Sequence, residues 1–251
     1  MTDKPKREGR VLPAVVTVDL VIFTVRDDAL HVLLIERGKE PFLGSLAIPG
    51  GHVRDNETLD EAAGRELSEE TQIDSEQLHL EQLHSYGAPG RDPRGRVITV
   101  AYLALGPNLP TPMAGTDAKA AYWVPVDSVL SGHNKLAFDH ADILGDALER
   151  ARSKLEYTTV ATAFCAEPFT VSELRRVYEV VWGFPLDPSN FRRKVTRAAS
   201  FIEPTGERRI AETGRPAALY TRGKAQFLSP PLLRSIDATA AQGTTAPPVQ
   251  Q

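Results

Sequence analysis

Three glutamates recur at helical spacing in the first third of the chain. Glu66, Glu69 and Glu70 occupy positions i, i+3 and i+4, which places their carboxylates on one face of a helix. Converged carboxylates repel one another unless a hard cation neutralises them, so Mg²⁺ is the expected guest. Such an ion would polarise a phosphoryl oxygen or activate a water for attack on it. We therefore predict a magnesium-dependent diphosphate site, with a solvated acidic helix face as the alternative.

Glycines directly before this helix suit a phosphate ligand. Pro49-Gly50-Gly51 ends an apolar strand, and a helix pattern begins near Glu57. Backbone without side chains approaches phosphate oxygens closely, so Gly50 and Gly51 are assigned to ligand binding. Arg65 and Glu57 are expected to orient the acidic set. The candidate catalytic residues are Glu57, Arg65, Glu66, Glu69 and Glu70.

Arginines in a Gly/Pro-rich segment form a second candidate site. Arg91, Arg94 and Arg96 lie within residues 86–96, and planar guanidinium groups bind phosphate oxygens in pairs. Arg37, at the end of a predicted strand, is a further candidate. We predict that these arginines hold a diphosphate beside the acidic helix; the alternative for each is an ordinary surface charge.

The segment from residue 51 to residue 73 resembles the Nudix box. The family pattern is a glycine, five residues, a glutamate, seven residues and then R-E-U-x-E-E-x-G-U, where U is aliphatic. The matching residues are Gly51, Glu57, Arg65, Glu66, Leu67, Glu69, Glu70 and Ile73. The resemblance implies a Nudix α/β/α sandwich over about residues 11–145.

Gln72 departs from this pattern, because it stands where the box has its last glycine. A glycine after a helix supplies a left-handed residue, a conformation that costs a residue with a Cβ about 1 kcal/mol. We expect Gln72 to redirect the last helical turn, which carries two of the three glutamates. A small shift of metal ligands slows catalysis far more than binding, so hydrolysis should be weak or absent.

The remaining patterns of the first half agree with an α/β domain. Strands are predicted over residues 14–23, 31–37, 97–105 and 121–125. Helices are predicted over residues 57–71 and 138–155. A helix with apolar residues at helical spacing from 144 to 155 could bridge this domain and the next.

Charge divides the chain into two parts. Residues 1–149 contain 14 Lys and Arg against 24 Asp and Glu, whereas residues 150–235 contain 15 against 8. An acidic half joined to a basic half indicates that the basic half binds a polyanion, usually nucleic acid. We predict an effector-binding domain over 11–145 and a DNA-binding domain over 146–235.

Composition also bears on the compartment. Cys165 is the only cysteine of the 251 residues, so no disulfide forms within one chain and a reducing compartment is expected. No apolar stretch approaches the length of a membrane span, and the first residues are too polar for a secretory signal. We predict a cytoplasmic protein that does not bind membranes, with disorder over residues 1–10 and 236–251.

The second half predicts a helix-turn-helix. Thr170 and Glu173 form a capping-box sequence, and Gly183 ends the helix that follows. Asp187-Pro188 then provides a cap and a first-turn proline for a second helix. The short connection is typical of a helix-turn-helix, in which the second helix enters the DNA groove.

The second helix has two faces. Phe191, Val195 and Ala198 are expected to be buried, and the opposite face is polar and basic. Residues 208–220 read as a hairpin, the wing of a winged helix, with Arg215 at its tip. The predicted DNA-binding residues are Ser189, Asn190, Arg192, Arg193, Lys194, Thr196, Arg197 and Arg215. The alternative is a helical hairpin with a solvated basic face.

A Nudix domain followed by a winged helix resembles the Nudix-related transcriptional regulators called the NrtR family. The resemblance implies a homodimeric repressor of genes for NAD biosynthesis or salvage. It also implies a pseudo-palindromic operator, and ADP-ribose or a related nucleotide as the effector that releases the DNA. The competing interpretation is an active Mg²⁺-dependent ADP-ribose pyrophosphatase with an accessory domain. A bifunctional protein that hydrolyses its own effector is a third.

Overall fold

A seven-stranded mixed sheet forms the first part of the molecule. We describe a computed structural model over residues 13–72, 78–107, 109–110, 118–210 and 216–234. The strands are β1 (Val15–Arg26), β2 (Ala29–Arg37), β3 (Leu46–Ala47), β4 (Gly50–His52), β5 (His79–Tyr86), β6 (Val97–Pro107) and β7 (Ala118–Pro125). β1 pairs parallel with β6 and antiparallel with β2 and β4. β3 and β7 extend the sheet beyond β2, and β5 extends it beyond β6.

Helices cover both faces of this sheet. They are α1 (Leu59–Thr71), α2 (Val126–Leu130) and α3 (His140–Tyr157). Alternate residues of β1 point to opposite faces: Leu20 and Ile22 pack with α1, whereas Val21 and Phe23 belong to the core that includes α3. The predicted α/β/α sandwich is therefore confirmed.

The second part is a helix-turn-helix with a small sheet. It contains a 3-10 turn (Val160–Phe164), β8 (Phe169–Thr170), α4 (Val171–Trp182), α5 (Pro188–Arg197), β9 (Ile202–Arg209) and β10 (Ala217–Arg222). The Thr170–Glu173 capping box and the left-handed Gly183, with φ 82°, bound α4 as predicted. The Asp187 side chain caps α5 by accepting from Asn190 N. β9 and β10 form the predicted hairpin, and β8 pairs with β10.

One apolar core continues from the sheet into this second part. α3 buries Leu144 and Ala147, and it packs on β1 and β5 as well as on α4. Its Arg152 donates from Nε to the Val181 carbonyl at 2.9 Å, and Trp182 Nε1 donates to the Arg152 carbonyl at 3.1 Å. α3 therefore belongs to both parts, and the predicted boundary between 145 and 146 falls inside it.

Several predictions concern residues outside the described ranges. They are the disorder of residues 1–10 and 236–251, the Nudix-box residue Ile73 and the wing-tip residue Arg215. Within the described ranges, no helix has the length and apolar character that crossing a membrane requires.

Candidate functional site

The start of α1 brings the Nudix-box glycines against a buried glutamate. Thr58 and Glu61 form a reciprocal capping box that fixes where α1 begins. Glu66, one turn further on, is only 9% exposed. A Cβ on Gly51 would lie 1.9 Å from Glu66 Oε1, and one on Gly50 would lie 2.3 Å from a backbone carbonyl oxygen. Both positions therefore require glycine, so that strand β4 can approach α1 and β1 closely.

Arg65 is the centre of the charged network on α1. Its Nε and Nη2 donate to the two carboxylate oxygens of Glu57 at 2.9 and 2.7 Å, and its Nη1 donates to Glu66 Oε1 at 2.6 Å. The hydrogen bonds from Arg65 hold the pKa of Glu57 at about 2. Glu57, Arg65 and Glu66 thus form one connected unit, in which Glu57 is ionised at neutral pH.

The three glutamates at helical spacing do not form a preassembled metal site. Glu69 Oε1 lies 3.5 Å from Arg65 Nη1 and 3.6 Å from Arg54 Nη2, so arginines neutralise Glu66 and Glu69. Glu70 is buried at 6% exposure. Across the described ranges, no three His, Cys, Asp or Glu side chains are grouped to hold a metal ion. As placed, these side chains do not fit Mg²⁺.

Gln72 adopts the conformation that the box normally assigns to glycine. Its φ of 59° and ψ of 21° are left-handed, and its N–H donates to the Ser68 carbonyl at 2.8 Å. The helix therefore ends as a glycine would end it, and the expectation of a redirected last turn is wrong. The consequence of the substitution is local backbone strain at Gln72.

A cleft opens between the box glycines and the predicted arginines. Its cavity has a volume of about 170 Å³ and is lined by Thr17, Asp19, Ile35, Arg37, Lys39, Glu40, Ile48, Gly50, Gly51, His52, Arg91, Asp92, Arg94, Val97, Phe138 and His140. Arg37, Arg91 and Arg94 are brought together here as predicted, while Arg96 donates to the Gly87 carbonyl.

Two arginines of the cleft are held by aspartates, whereas Arg37 donates to the Pro41 carbonyl. Arg91, whose side chain is 5% exposed, donates from Nε and Nη2 to Asp139 at 2.8 and 2.6 Å, and its Nη2 lies 3.5 Å from Asp19. Arg94 donates from Nη2 to Asp92 at 2.6 Å and is 47% exposed. An anionic ligand that binds these guanidinium groups competes with carboxylates already bound to them.

Aromatic residues at the cleft mouth were not predicted from the sequence. Phe138 has a left-handed φ of 54°. Its ring lies 4.7 Å from the Phe42 ring between centroids, with Arg37 Cζ at 4.7 Å and Arg94 Cζ at 5.7 Å from its centroid. This cationic and aromatic arrangement offers a stacking surface for a planar base. The available signal was the Phe-Asp-His run at the start of a predicted helix.

His140 was missed as well, and it connects the cleft wall to the box. The Ile48 N–H donates to His140 Nδ1 at 3.1 Å, and His140 Nε2 lies 3.9 Å from Asp19 Oδ2. Burial lowers the pKa of His140, so the ring is neutral at neutral pH with its proton on Nε2. The first residue of α3 is therefore hydrogen-bonded to the segment that leads into the box glycines.

The candidate DNA interface is the outer face of α5. Phe191, Val195 and Ala198 are buried as predicted, and the Phe191 ring packs on Tyr178 with centroids 5.2 Å apart. Arg193 Nη2 donates to the Asn190 side-chain oxygen at 2.6 Å. The exposed residues of the helix face are Ser189, Asn190, Arg192, Arg193, Lys194, Thr196 and Arg197.

The wing is fastened to the start of the helix-turn-helix near its turn. Arg209, the last residue of β9, donates from Nη1 to Glu173 Oε1 and from Nη2 to the Pro168 carbonyl, both at 2.7 Å. These bonds join the hairpin to α4 and to the residue before β8.

Comparison with known proteins explains the joining of these two sites. Residues 15–146 match the family model of the NUDIX domain, and residues 162–221 match that of the NrtR DNA-binding winged helix domain. The ADPR responsive transcriptional repressor NtrR of Acinetobacter baylyi is 37% identical over 206 residues, covering 81% of this chain and 80% of that protein. The chain belongs to the NrtR family.

Solved NrtR structures agree with the fold along most of the chain. Shewanella oneidensis NrtR complexed with a 27mer DNA is 36% identical, with a TM-score of 0.71, covering 82% of this chain and 93% of that one. The NUDIX domain of the same NrtR complexed with ADP ribose is 35% identical, with a TM-score of 0.51, covering 56% of this chain and 90% of that one. The predicted combination of a Nudix fold and a winged helix is thus confirmed.

Membership of the family does not decide whether this chain binds a divalent metal ion, so its own residues have to be considered. Nudix domains generally use divalent metal ions. In this NrtR-family chain, however, Arg65 and Arg54 lie against the carboxylates that would bind such an ion.

Proposed function

We propose that this chain is a DNA-binding transcriptional repressor of genes for NAD biosynthesis or salvage. Its cleft binds ADP-ribose or a related NAD-derived nucleotide, and binding releases the DNA. The observation that carries this proposal is the pairing, in one chain, of an arginine-lined cleft with an exposed basic recognition helix. The ligands named for the NrtR and NtrR relatives support the same conclusion.

The cleft suits a nucleoside diphosphate in both charge and shape. Arg37, Arg91 and Arg94 line one side, and Gly50 and Gly51 expose backbone on the other. The guanidinium groups of Arg91 and Arg94 would bind the diphosphate in place of their present aspartate partners. The ring of Phe138 would stack on the base.

The outer face of α5 suits the major groove. Asn190 and Arg193 lie near its centre and can read adenine and guanine edges, while Arg192, Lys194 and Arg197 would contact phosphates. Two copies related by a two-fold axis would bind a pseudo-palindromic operator with half-sites about one helical turn, or a multiple, apart. Residues Ser189, Thr196 and Arg215 complete the proposed interface.

Hydrolysis is a secondary property in this proposal. Mg²⁺ would bind Glu66, Glu69 and Glu70 only after the first two exchange their arginine partners for the ion. We therefore expect weak Mg²⁺ binding and slow turnover of ADP-ribose compared with an active pyrophosphatase. Magnesium-dependent turnover that is fast and lost on Glu70→Gln would favour the pyrophosphatase instead.

The two proposed functional units share α3. The effector unit spans residues 11–145 and the DNA-binding unit spans 146–235, although α3 packs against both. Because operator DNA is the proposed partner, we place the protein in the cytoplasm and expect no membrane association.

Fluorescence anisotropy on labelled DNA tests this function. DNA from upstream of NAD-biosynthesis genes is compared with a scrambled duplex at one fixed salt concentration, because phosphate contacts make affinity steeply salt-dependent. ADP-ribose is then titrated into the complex. Selective binding that ADP-ribose reverses is expected; binding that is equal on both duplexes would contradict the assignment of a specific repressor.

A further inference from the structure

Asp139 stands at the N-cap of α3 but does not cap it. An aspartate at this position normally accepts a hydrogen bond from an N–H of the first turn and has an extended backbone. Asp139 instead has φ −96° and ψ 20°, and its side chain makes no capping bond. Side chains cap the other long helices of the described ranges, namely Thr58 in α1, Thr170 in α4 and Asp187 in α5.

The Asp139 carboxylate is bound to Arg91 instead. Both of its oxygens accept from that guanidinium, at 2.6 and 2.8 Å. Arg91 lines the ligand cleft and is one of the cations proposed to bind the diphosphate. With ψ near 20°, the carboxylate is bound to Arg91 and makes no bond to the first turn of its own helix.

We propose that Asp139 is the residue that communicates ligand binding to α3. A diphosphate that binds Arg91 displaces the carboxylate, which then turns to cap α3. The inference rests on the proposed function, because it uses the same cleft and the same class of anionic ligand. The change requires ψ of Asp139 to move toward the extended region that N-caps adopt. Phe138, held at a left-handed φ of 54° in the preceding position, moves with it.

Contacts at both ends of α3 allow this change to reach the DNA-binding face. At the first end, His140 accepts from the Ile48 N–H of the segment leading to the box. At the other end, Arg152 and Trp182 join α3 to α4 through two hydrogen bonds. Tyr178 of α4 packs on both Trp182 and Phe191, the buried anchor of α5. α3 is therefore in contact with the ligand wall and, through α4, with the recognition helix.

The energy involved is sufficient. A tenfold change in DNA affinity corresponds to about 1.4 kcal/mol of differential binding. The gain or loss of one N-cap bond changes helix stability by an amount of the same order. A single exchange of partners by Asp139 can therefore account for a tenfold response, provided that the two states differ at the DNA interface.

Hydrogen exchange at the first turn of α3 tests the partner exchange without DNA. Exchange of the Ala141 amide is measured by NMR with and without ADP-ribose in the full chain, because the Asp142 amide already donates to the Asp139 carbonyl at 3.0 Å. We expect slower exchange with ligand in the wild type. Asp139→Asn can cap but cannot hold Arg91 by charge, so slow exchange is expected even without ligand. Asp139→Ala can do neither, so exchange should stay fast under both conditions.

Anisotropy on operator DNA measures the consequence. Asp139→Asn should bind DNA about tenfold more weakly without ligand, and Asp139→Ala should show less than about a twofold response to ADP-ribose. Asp142→Asn removes one charge from the same helical turn and should behave as wild type. Calorimetric titration with ADP-ribose separates lost communication from lost ligand binding, because both Asp139 variants should still bind it.

Failure of the proposed repressor function and failure of the proposed role of Asp139 give different results. If the wild type shows no selective DNA binding or no release by ADP-ribose, the proposed repressor function is wrong; exchange of the Ala141 amide still tests the role of Asp139. If Asp139→Ala keeps the wild-type ligand response in exchange and in DNA release, the role of Asp139 is overturned. Absence of any ligand effect on the Ala141 amide in the wild type overturns it as well.

Discussion

The charged groups of the cleft and those of α5 are arranged in opposite ways. In the cleft and the box, Arg65, Arg91 and Arg94 each bind a carboxylate through two donors or more. On α5, Arg192, Lys194 and Arg197 form no ion pair with any described residue. A polyanion can therefore bind α5 directly, whereas an anion that takes the bonded donors of Arg91 or Arg94 must displace an aspartate.

This difference has a thermodynamic meaning. Binding at α5 adds attraction and releases counterions, so it favours any DNA and depends steeply on salt. Binding in the cleft exchanges one carboxylate for another anion, so only a ligand that offers several phosphate oxygens gains from it. The internal pairing in the cleft thus selects the ligand, while the free charges of α5 supply affinity.

Replacing Arg65 removes its ion pair with Glu57 in the Nudix box. We expect this change to have the largest effect. Its hydrogen bonds hold the pKa of Glu57 at about 2, against an ordinary value of 4.5. Glu57 therefore stays ionised as the pH falls from 4.5 toward 2, and its pairing is lost only as the pH falls through 2. In Arg65→Met the pKa should rise toward 4.5, although the bond from the Arg54 N–H, which also lowers it, remains. NMR titration of the Glu57 carboxyl carbon measures it, and a midpoint that stays near 2 contradicts the assignment to Arg65.

Removing single basic residues of α5 separates contacts to bases from contacts to phosphates. Arg193→Ala should cost about 1–3 kcal/mol on the operator and little on random DNA, because it removes a base contact. Lys194→Ala should weaken both duplexes alike and lower the slope of log affinity against log salt by about one. Lys119→Ala, a 72% exposed lysine on β7, serves as the matched control. Equal losses on both duplexes for Arg193→Ala would reject its reading role.

Gly51→Ala disturbs the packed side of the cleft. The new Cβ would lie 1.9 Å from Glu66 Oε1, so the carboxylate has to leave Arg65 or the strand has to shift. Overpacking of this kind costs about 1–3 kcal/mol. Chemical denaturation should show that loss, and calorimetry should show weaker ADP-ribose binding. Gly145→Ala in α3 meets open space and should leave ligand binding unchanged.

Gln72→Gly should give the smallest effect. It relieves a left-handed residue with a Cβ and should stabilise the protein by about 0.5–1 kcal/mol. Because Gln72 already has the geometry of a glycine, ADP-ribose turnover should not rise. Gly183→Ala, at the equivalent position of α4, should destabilise by a similar amount. A marked rise in turnover on Gln72→Gly would restore the idea that this residue limits catalysis.

The sequence predicted those helices and strands in which capping or turn residues and the spacing of buried apolar residues indicate the same structure. The strands with apolar cores, the capped helices α1, α4 and α5, and the buried face of α5 were all found in this way. β3 and β4 are only two and three residues long, too short for a periodic pattern. β5 alternates without a strong apolar face, since only Leu83 is buried in it, so it was missed.

The site residues that lie in one contiguous motif were predicted from the sequence. The site residues that the fold brings together from distant positions were missed. Arg37, Gly51 and Arg91 were correctly expected to meet, because arginines and glycines suit the same ligand. Phe138 and His140 lie at the start of the helix predicted over residues 138–155, and its apolar spacing does not indicate that they line the cleft. The pairing of Arg91 with Asp139 joins residues 48 positions apart, and no spacing rule connects them. At Gln72 the prediction failed for a different reason. We expected a residue with a Cβ to avoid the left-handed conformation and redirect the helix end, but Gln72 adopts that conformation.

α3 makes the two halves of this protein inseparable as fragments. Leu144 and Ala147 of this helix are fully buried in the core that also contains Val177 and Val181 of α4. A fragment of either half has to include α3 as far as Tyr157 to keep its own core covered. Two independent proteins made from this chain would each need a copy of that helix. The ligand-binding part and the DNA-binding part are therefore joined by a shared core helix and not by a flexible linker. Heating should therefore melt both halves in a single calorimetric transition.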